Sequence, residues 1–155
     1  MSVFKIIVIV ILTGIVLFAL LLFYTLSPTI RDVSHYKQLT PFLNKSLGLD
    51  RKGIVFFVEQ GQYQFYPHLL SERFTDPWEK KYELAIGSLI TLRKFKTYKN
   101  AVSGFTHLYA LGEFTTASGQ IVAFEYDWAS VDQSRELPIA IWQKVTDPLI
   151  KFEKR

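Results

Sequence analysis

The sequence predicts a mostly β fold, a small antiparallel sheet, barrel or sandwich, preceded by one N-terminal transmembrane α-helix. Near the N-terminus the run from Ile6 to Leu26 carries no charged residue. The rest of the chain is rich in aromatic and β-branched residues, the types that strands favour. It also contains two alternating apolar runs separated by Ser118-Gly119, the pattern of a β-hairpin.

The apolar run is long enough to cross a bilayer. At about 1.5 Å per residue the helix from Ile6 to Leu26 extends roughly 31 Å, close to the thickness of the hydrocarbon core. A cleaved signal peptide is the alternative, but its apolar region is usually only about 7–15 residues long. Pro28 also follows directly on the best cleavage site, where it is unfavourable. Residues 1–26 are therefore predicted to be a transmembrane signal anchor that contacts the lipid bilayer through residues 6–26.

The charges beside the anchor do not by themselves decide its orientation. Lys5 precedes the apolar run, whereas Arg31, Lys37 and Lys45 follow it within the range over which basic residues influence topology. A short basic N-terminus followed at once by an apolar run is the arrangement of a signal anchor. We therefore expect a single-pass membrane protein whose C-terminal domain lies on the non-cytoplasmic side, periplasmic or extracellular.

A short stalk, with the spacing of a helix, is predicted over residues 27–41. Pro28 suits the first turn of a helix, and Pro41 would end it. Three residues between them recur at helical spacing, namely Ile30, Val33 and Tyr36. Residues 42–155 are predicted to form the β-rich extramembrane domain.

The clearest local unit of that domain is the hairpin around Ser118-Gly119. A two-residue turn there pairs Ala117 with Gln120, which places Tyr109 opposite Trp128 and Leu111 opposite Tyr126. The aromatic face is the one expected to be buried. That face carries Phe105, Tyr109, Leu111, Val122, Phe124, Tyr126 and Trp128. Glu125 and Asp127 would then belong to the opposite, solvated face.

Two features of the sequence indicate an interaction surface. The densest basic stretch interleaves cations with the aromatic rings of Phe95 and Tyr98, a pattern that can follow a phosphate backbone or contact anionic lipid. The simpler interpretation is a solvated edge strand, since lysine protects sheet edges against pairing. Trp78, in a long loop predicted between Pro67 and Lys81, can anchor a protein interface or cover the end of the sheet. The candidate interaction residues are Arg93, Lys94, Lys96, Lys99 and Trp78.

No residue pattern points to catalysis, a cofactor or a metal. The chain has no cysteine, which excludes disulfides and thiol chemistry. His35, His68 and His107 lack the spacing of zinc ligands, and no nucleophile elbow or phosphate-binding loop is present. Glu125 and Asp127 could form an acid–base pair, but the simpler interpretation is the polar half of a strand. The net charge of +4 is too mild to imply nucleic acid, so no nucleic-acid partner is expected.

These observations favour a membrane-anchored protein-interaction or accessory module of a membrane or envelope complex, and not an enzyme. Its expected partner is another membrane or envelope protein, with contact to anionic lipid as an additional expectation. A membrane-tethered inhibitor or ligand-binding domain, for instance of the immunity type, is the alternative, and an enzyme with an unrecognised site comes third.

The topology prediction is that the full chain stays in the membrane pellet after a carbonate wash. A reporter that is active only outside the cytoplasm, fused after Arg155, should be active, because the anchor is expected to export the domain. A chain released by carbonate, or a mature N-terminus near Pro28, would contradict the anchor. Activity only from a cytoplasmic reporter would reverse the orientation.

Overall fold

The computed structural model of the chain describes residues 2–73, 77–132 and 136–153. It begins with one α-helix, α1, from Val3 to Leu26. This helix is 24 residues long, apolar and without a buried residue, so by length and composition it could span a membrane; a signal sequence has the same properties. The predicted N-terminal apolar helix is therefore confirmed.

The remainder is β-rich, as predicted, with one short 3-10 turn at Thr40–Phe42. The strands are β1 (Thr29–Asp32), β2 (Ser46–Gly48), β3 (Gly53–Phe57), β4 (His68–Ser71), β5 (Glu79–Leu84), β6 (Leu89–Lys99), β7 (Thr106–Thr115), β8 (Ile121–Ser130), β9 (Glu136–Leu137) and β10 (Ile150–Lys151). An eight-stranded sheet has the order β1-β6-β7-β8-β4-β3-β5, with β2 also paired to β6, while β9 and β10 form a small separate sheet. The main sheet is mixed and not purely antiparallel, because β4 and β8 pair in parallel.

The helix considered for the stalk at residues 27–41 is not observed. Thr29–Asp32 form β1 instead, which pairs antiparallel with the last four residues of β6. A short isolated helix is marginal in water, whereas strand pairing satisfies the backbone groups along the edge of β6. The sheet therefore begins only three residues after Leu26, the last residue of the helix.

The hairpin is present, but from Tyr109 to Thr115 its register differs from the prediction by one residue; a bulge between Leu108 and Tyr109 restores the predicted pairing at Leu108 and His107. Its loop contains three residues, since the Thr116 N–H donates to the Gln120 carbonyl at 2.8 Å and Gly119 adopts a positive φ of 84°. This is the three-residue hairpin loop with glycine in the left-handed position, not the two-residue turn. Tyr109 consequently lies opposite Asp127 rather than Trp128, and Leu111 lies opposite Glu125.

A one-residue shift exchanges the two faces of β7. The prediction for β8 holds, since Val122, Phe124, Tyr126 and Trp128 are buried in the main core. For β7 it was wrong: Ala110, Gly112 and Phe114 are the residues paired with that face, and Leu108 is buried in the same core. Gly112 is needed there, because a Cβ atom would lie 2.8 Å from the Phe124 ring and from the Thr91 carbonyl oxygen. Tyr109 and Leu111 are buried as well, but on the opposite face of the sheet, which we call the outer face.

The sheet is strongly curled around its core. The rings of Tyr82 on β5 and Phe114 on β7 are 5.4 Å apart at their centroids, although their strands are four places apart in the sheet order. Residues outside the sheet close the core, with Trp142 packed edge-on against Trp128 at 5.2 Å. The domain has no disulfide, so the burial of these apolar side chains is its main source of stability.

We expect Phe124→Ala to destabilise the domain by about 3–5 kcal/mol, because it empties a fully buried position next to Gly112. Ile121→Ala is the matched control on the same strand, where the side chain is 64 % exposed, and should cost under about 1 kcal/mol. Urea unfolding of the full chain in detergent, followed by tryptophan fluorescence, measures both. Equal losses for the two variants would contradict the observed burial.

Candidate functional site

The pairing of β1 with β6 defines which end of the sheet lies beside α1. Thr29, close to the helix, pairs with Lys99, so β6 runs toward the helix and turns back at residues 100–105. We call residues 29–31 and 97–106 the proximal end of the sheet. The distal end consists of residues 85–89 and 115–121, where β6 starts and the β7–β8 hairpin turns.

The proximal end contains a cleft of about 290 Å³. It lies where the inner face of the sheet continues beyond the apolar core, and we call it the proximal cleft. Its lining combines two cations, several hydroxyl groups, one carboxylate and an apolar wall. The residues are Thr29, Arg31, Val33, Tyr36, Thr97, Lys99, Gly104, Thr106, Asp132 and Phe152.

The chemistry of the proximal cleft suits binding of an anionic group. Arg31 and Lys99 are exposed cations, while Thr97 and Thr106 bring hydroxyl groups into its buried part. The Asp132 carboxylate is engaged, because it accepts a hydrogen bond from the Thr106 N–H. The Val33 and Phe152 side chains form an apolar wall that would contact any hydrocarbon attached to the anion. Cations, hydroxyl groups and an apolar wall in this arrangement can bind and orient an anionic ligand.

The predicted basic stretch does not form one patch. Contrary to the edge-strand interpretation, β6 lies inside the sheet, between β1 and β2 on one side and β7 on the other. Arg93 sits at a bulge and binds the Glu113 carboxylate at 2.6 Å and the Asn44 side chain at 3.2 Å. Lys94 and Lys96 project from the outer face, and only Lys99 reaches the proximal cleft.

Lys96 and Trp78 both support loops of the domain. The Lys96 ammonium lies 5.0 Å from the centre of the Phe65 ring, a cation–π contact with the loop that crosses the outer face. The Trp78 indole N–H donates to the Gln62 side chain at 3.3 Å, and its ring meets Phe56 at 6.4 Å. Both residues therefore help to hold loops against the sheet. The prediction that Lys96 and Trp78 serve an interaction remains a prediction.

Glu125 is the residue whose environment departs most from expectation. It was predicted to be solvated, yet it is only 3 % exposed. Its carboxylate accepts hydrogen bonds from three consecutive backbone N–H groups, those of Gln64 at 3.1 Å, Phe65 at 2.6 Å and Tyr66 at 3.0 Å. Burial raises the pKa of the Glu125 carboxyl, and the three N–H groups oppose that shift. The carboxylate therefore fastens the 64–66 loop over Tyr109, whose ring meets Phe65 at 5.4 Å.

A serine, a histidine and an aspartate also meet on the outer face, but not as a catalytic set. The His107 Nδ1 atom lies 3.1 Å from the Asp127 carboxylate, and His107 pairs across the strands with Ser130. The Ser130 hydroxyl oxygen, however, is buried and has no hydrogen-bond partner among the described residues. A nucleophile needs access to substrate and a hydrogen bond to its base. The arrangement meets neither requirement.

The distal end exposes three large aliphatic side chains that the sequence analysis did not single out. Ile86 is 65 % exposed, Leu89 63 % and Ile121 64 %, and we call these three residues the distal patch. Of these three residues, Leu89 also lines an open groove of about 470 Å³. The groove is lined by Ser46, Leu84, Ser88, Leu89, Thr91, Glu113, Phe114 and Thr115. Exposed apolar groups next to a groove are typical of protein-contact surfaces.

Two residues of the proximal cleft, Arg31 and Thr106, were not predicted as parts of a site. In the sequence Arg31 is one of the charges that flank the anchor, and Thr106 belongs to no distinguishing pattern. The alternation of polar and apolar residues in Thr29-Ile30-Arg31-Asp32 was the one available signal for a strand. An alternation of only four residues is a weaker signal than the helical spacing of Ile30, Val33 and Tyr36, so the sequence favoured a helix there.

Within residues 2–73, 77–132 and 136–153, no group of three or more His, Cys, Asp or Glu side chains is placed to hold a metal ion. Comparisons with protein-family models, with curated proteins and with solved structures found no match.

We expect Glu125→Ala to cost at least about 2 kcal/mol, since it leaves three N–H groups of a partly buried loop without their acceptor. Glu125→Gln should cost less, because its carbonyl oxygen can still accept from Phe65 and Tyr66 while its amide faces the Gln64 N–H. Urea unfolding of the full chain in detergent gives both values. The control Glu83→Gln alters an exposed pair with Lys80 and should stay within about half a kcal/mol. An Ala variant as stable as this control would mean that the 64–66 loop does not depend on the carboxylate.

Proposed function

We propose that this chain is a single-pass membrane protein whose β-rich domain is an interaction or accessory module of a membrane or envelope complex. In this proposal α1 stays in the bilayer and residues 27–155 lie on the non-cytoplasmic side. The partner is another membrane or envelope protein. The apolar helix, which is long enough to cross a bilayer, supports the membrane attachment in this proposal.

The distal patch is the observation that carries it. Three aliphatic side chains, each more than 60 % exposed, lie at one end of the sheet, and one of them, Leu89, lines an open groove. Fully burying a side chain of this size contributes about 1.5–3 kcal/mol, so covering all three against a partner would provide a substantial part of a binding free energy. Exposed apolar side chains grouped in this way commonly mark a protein interface.

The position of the patch suits contact with a neighbouring membrane protein. β7 has ten residues, which at about 3.4 Å each separate the two ends of the sheet by roughly 34 Å. With the proximal end next to α1, the distal patch would project away from the bilayer. A partner would then meet it through its own extramembrane part.

The far edge of the sheet argues for contact through side chains and not through strand addition. The edge strand β5 carries Glu79, Lys80, Lys81 and Glu83, all exposed. Charged side chains on an edge oppose pairing with an added strand. A partner is therefore better accommodated on the distal patch than along β5.

We expect Leu89→Glu and Ile121→Glu each to reduce co-purification of the partner at least tenfold, about 1.4 kcal/mol, because each places a charge in the contact. The measurement is affinity capture of the full chain from mild detergent, with quantification of co-purifying chains. Val145→Glu, at a position 70 % exposed in a loop after Ile141, is the control and should retain the partner.

Equal capture by all three variants would exclude the distal patch as the contact surface. The identity of the captured chain distinguishes an accessory module from an inhibitor. A structural subunit of a complex fits an accessory module, whereas an enzyme or toxin that loses activity on binding fits an inhibitor.

A further inference from the structure

We propose that the proximal end of the sheet rests on the bilayer surface, with the turn at residues 100–105 inserted among the lipid headgroups. Val102 and Phe105 enter the apolar boundary, and Arg31 and Lys99 contact anionic headgroups at the proximal cleft. This inference relies on the proposed membrane attachment of α1, but not on the partner of the distal patch.

Chain connectivity places the turn at the level of the membrane. Thr29 follows Leu26 by three residues, which span at most about 11 Å. Lys99 pairs with Thr29, so it lies about 5 Å farther away across the sheet. Because β6 runs antiparallel to β1, the chain beyond Lys99 continues back toward the end of α1. The tip of the turn therefore lies beside the point where the helix would leave the bilayer.

The turn holds an apolar side chain outward in a fixed geometry. The Asn100 side-chain oxygen accepts hydrogen bonds from the Val102 N–H at 2.8 Å and the Ser103 N–H at 3.0 Å. The Gly104 N–H donates to the Asn100 carbonyl at 2.8 Å, with Gly104 at a φ of 74°. Val102 is left 81 % exposed at the tip, and Phe105 is 46 % exposed.

Internal hydrogen bonds make this turn suited to a region poor in water. A backbone N–H group that loses water without gaining a partner is unfavourable. Here the N–H groups of Val102, Ser103 and Gly104 already have partners within the turn. Insertion therefore buries apolar side chains without leaving these donors unpaired.

The charges around the turn complement an anionic surface. Arg31 and Lys99 are exposed and line the proximal cleft, while its one carboxylate, Asp132, is engaged by the Thr106 N–H. Ile30, 49 % exposed on the neighbouring strand, adds an apolar contact at the same end. Apolar groups flanked by cations are the usual composition of a surface that binds anionic lipid. Together with α1, such contact would fix the orientation of the domain.

The absence of native cysteine allows a direct test by single-site labelling of the full chain. Val102→Cys carries an environment-sensitive fluorophore, and the chain is reconstituted into phosphatidylcholine vesicles with or without phosphatidylglycerol. Ser118→Cys, exposed at the distal hairpin, is the matched control, and Phe23→Cys in α1 reports attachment itself. We expect the Val102 probe to shift its emission to the blue, to be quenched by shallow nitroxide lipids and to be shielded from aqueous iodide. The Ser118 probe should show the opposite behaviour.

Two outcomes overturn the insertion of the turn, and they are distinguishable. In the first, lipid quenches the Phe23 probe, but the Val102 probe is as accessible to iodide as the Ser118 probe. This result excludes the docked turn and supports the anchor. A Phe23 probe that is not quenched by lipid excludes both the docked turn and the anchor.

The role of the cations is tested with Arg31→Gln and Lys99→Gln combined, in the Val102→Cys background. The extra shielding caused by phosphatidylglycerol should be lost in this variant and retained in the control Lys52→Gln/Lys144→Gln; equal phosphatidylglycerol dependence in both would overturn the headgroup contact.

Discussion

The antiparallel pairing of β1 with the end of β6 is the constraint on which the arrangement of this domain depends. Without it, the segment after α1 would be a tether, and the sheet would have no defined relation to the helix. With it, Thr29 is fixed opposite Lys99, and Arg31 opposite Thr97. The proximal cleft and the turn at residues 100–105 are therefore held near the helix end by backbone hydrogen bonds, which a surface substitution leaves intact.

A second constraint acts on the opposite face of the sheet. The Glu125 carboxylate has lost nearly all contact with water, a cost that three N–H groups of residues 64–66 offset. The loop held in this way covers Tyr109, and its Phe65 ring makes a cation–π contact with the Lys96 ammonium. Two residues that looked like surface charge in the sequence, Glu125 and Lys96, thus serve the stability of the outer face.

The two ends of the sheet have different chemistry, and this division organises the functional proposals. The proximal end combines exposed cations with apolar tips, whereas the distal end exposes aliphatic side chains beside a groove. A domain oriented by lipid contact at one end would present the other to a partner at a constant distance from the membrane. The cost of orienting the domain would then be met before the partner binds.

The apolar helix, the β class and the inward face of β8 could be predicted from the sequence, since length, composition and alternation are local properties. The sequence also indicated the hairpin through Ser118-Gly119, but the third loop residue, Ala117, shifted the register and moved Tyr109 and Leu111 to the outer face. Which strands are neighbours in the sheet could not be predicted in this way. Contacts between residues more than 50 positions apart decide the strand at Thr29–Asp32 and the burial of Glu125. They also place Arg31 and Lys99 at one cleft. Such contacts are chosen by the packing of the whole sheet, which no local pattern encodes.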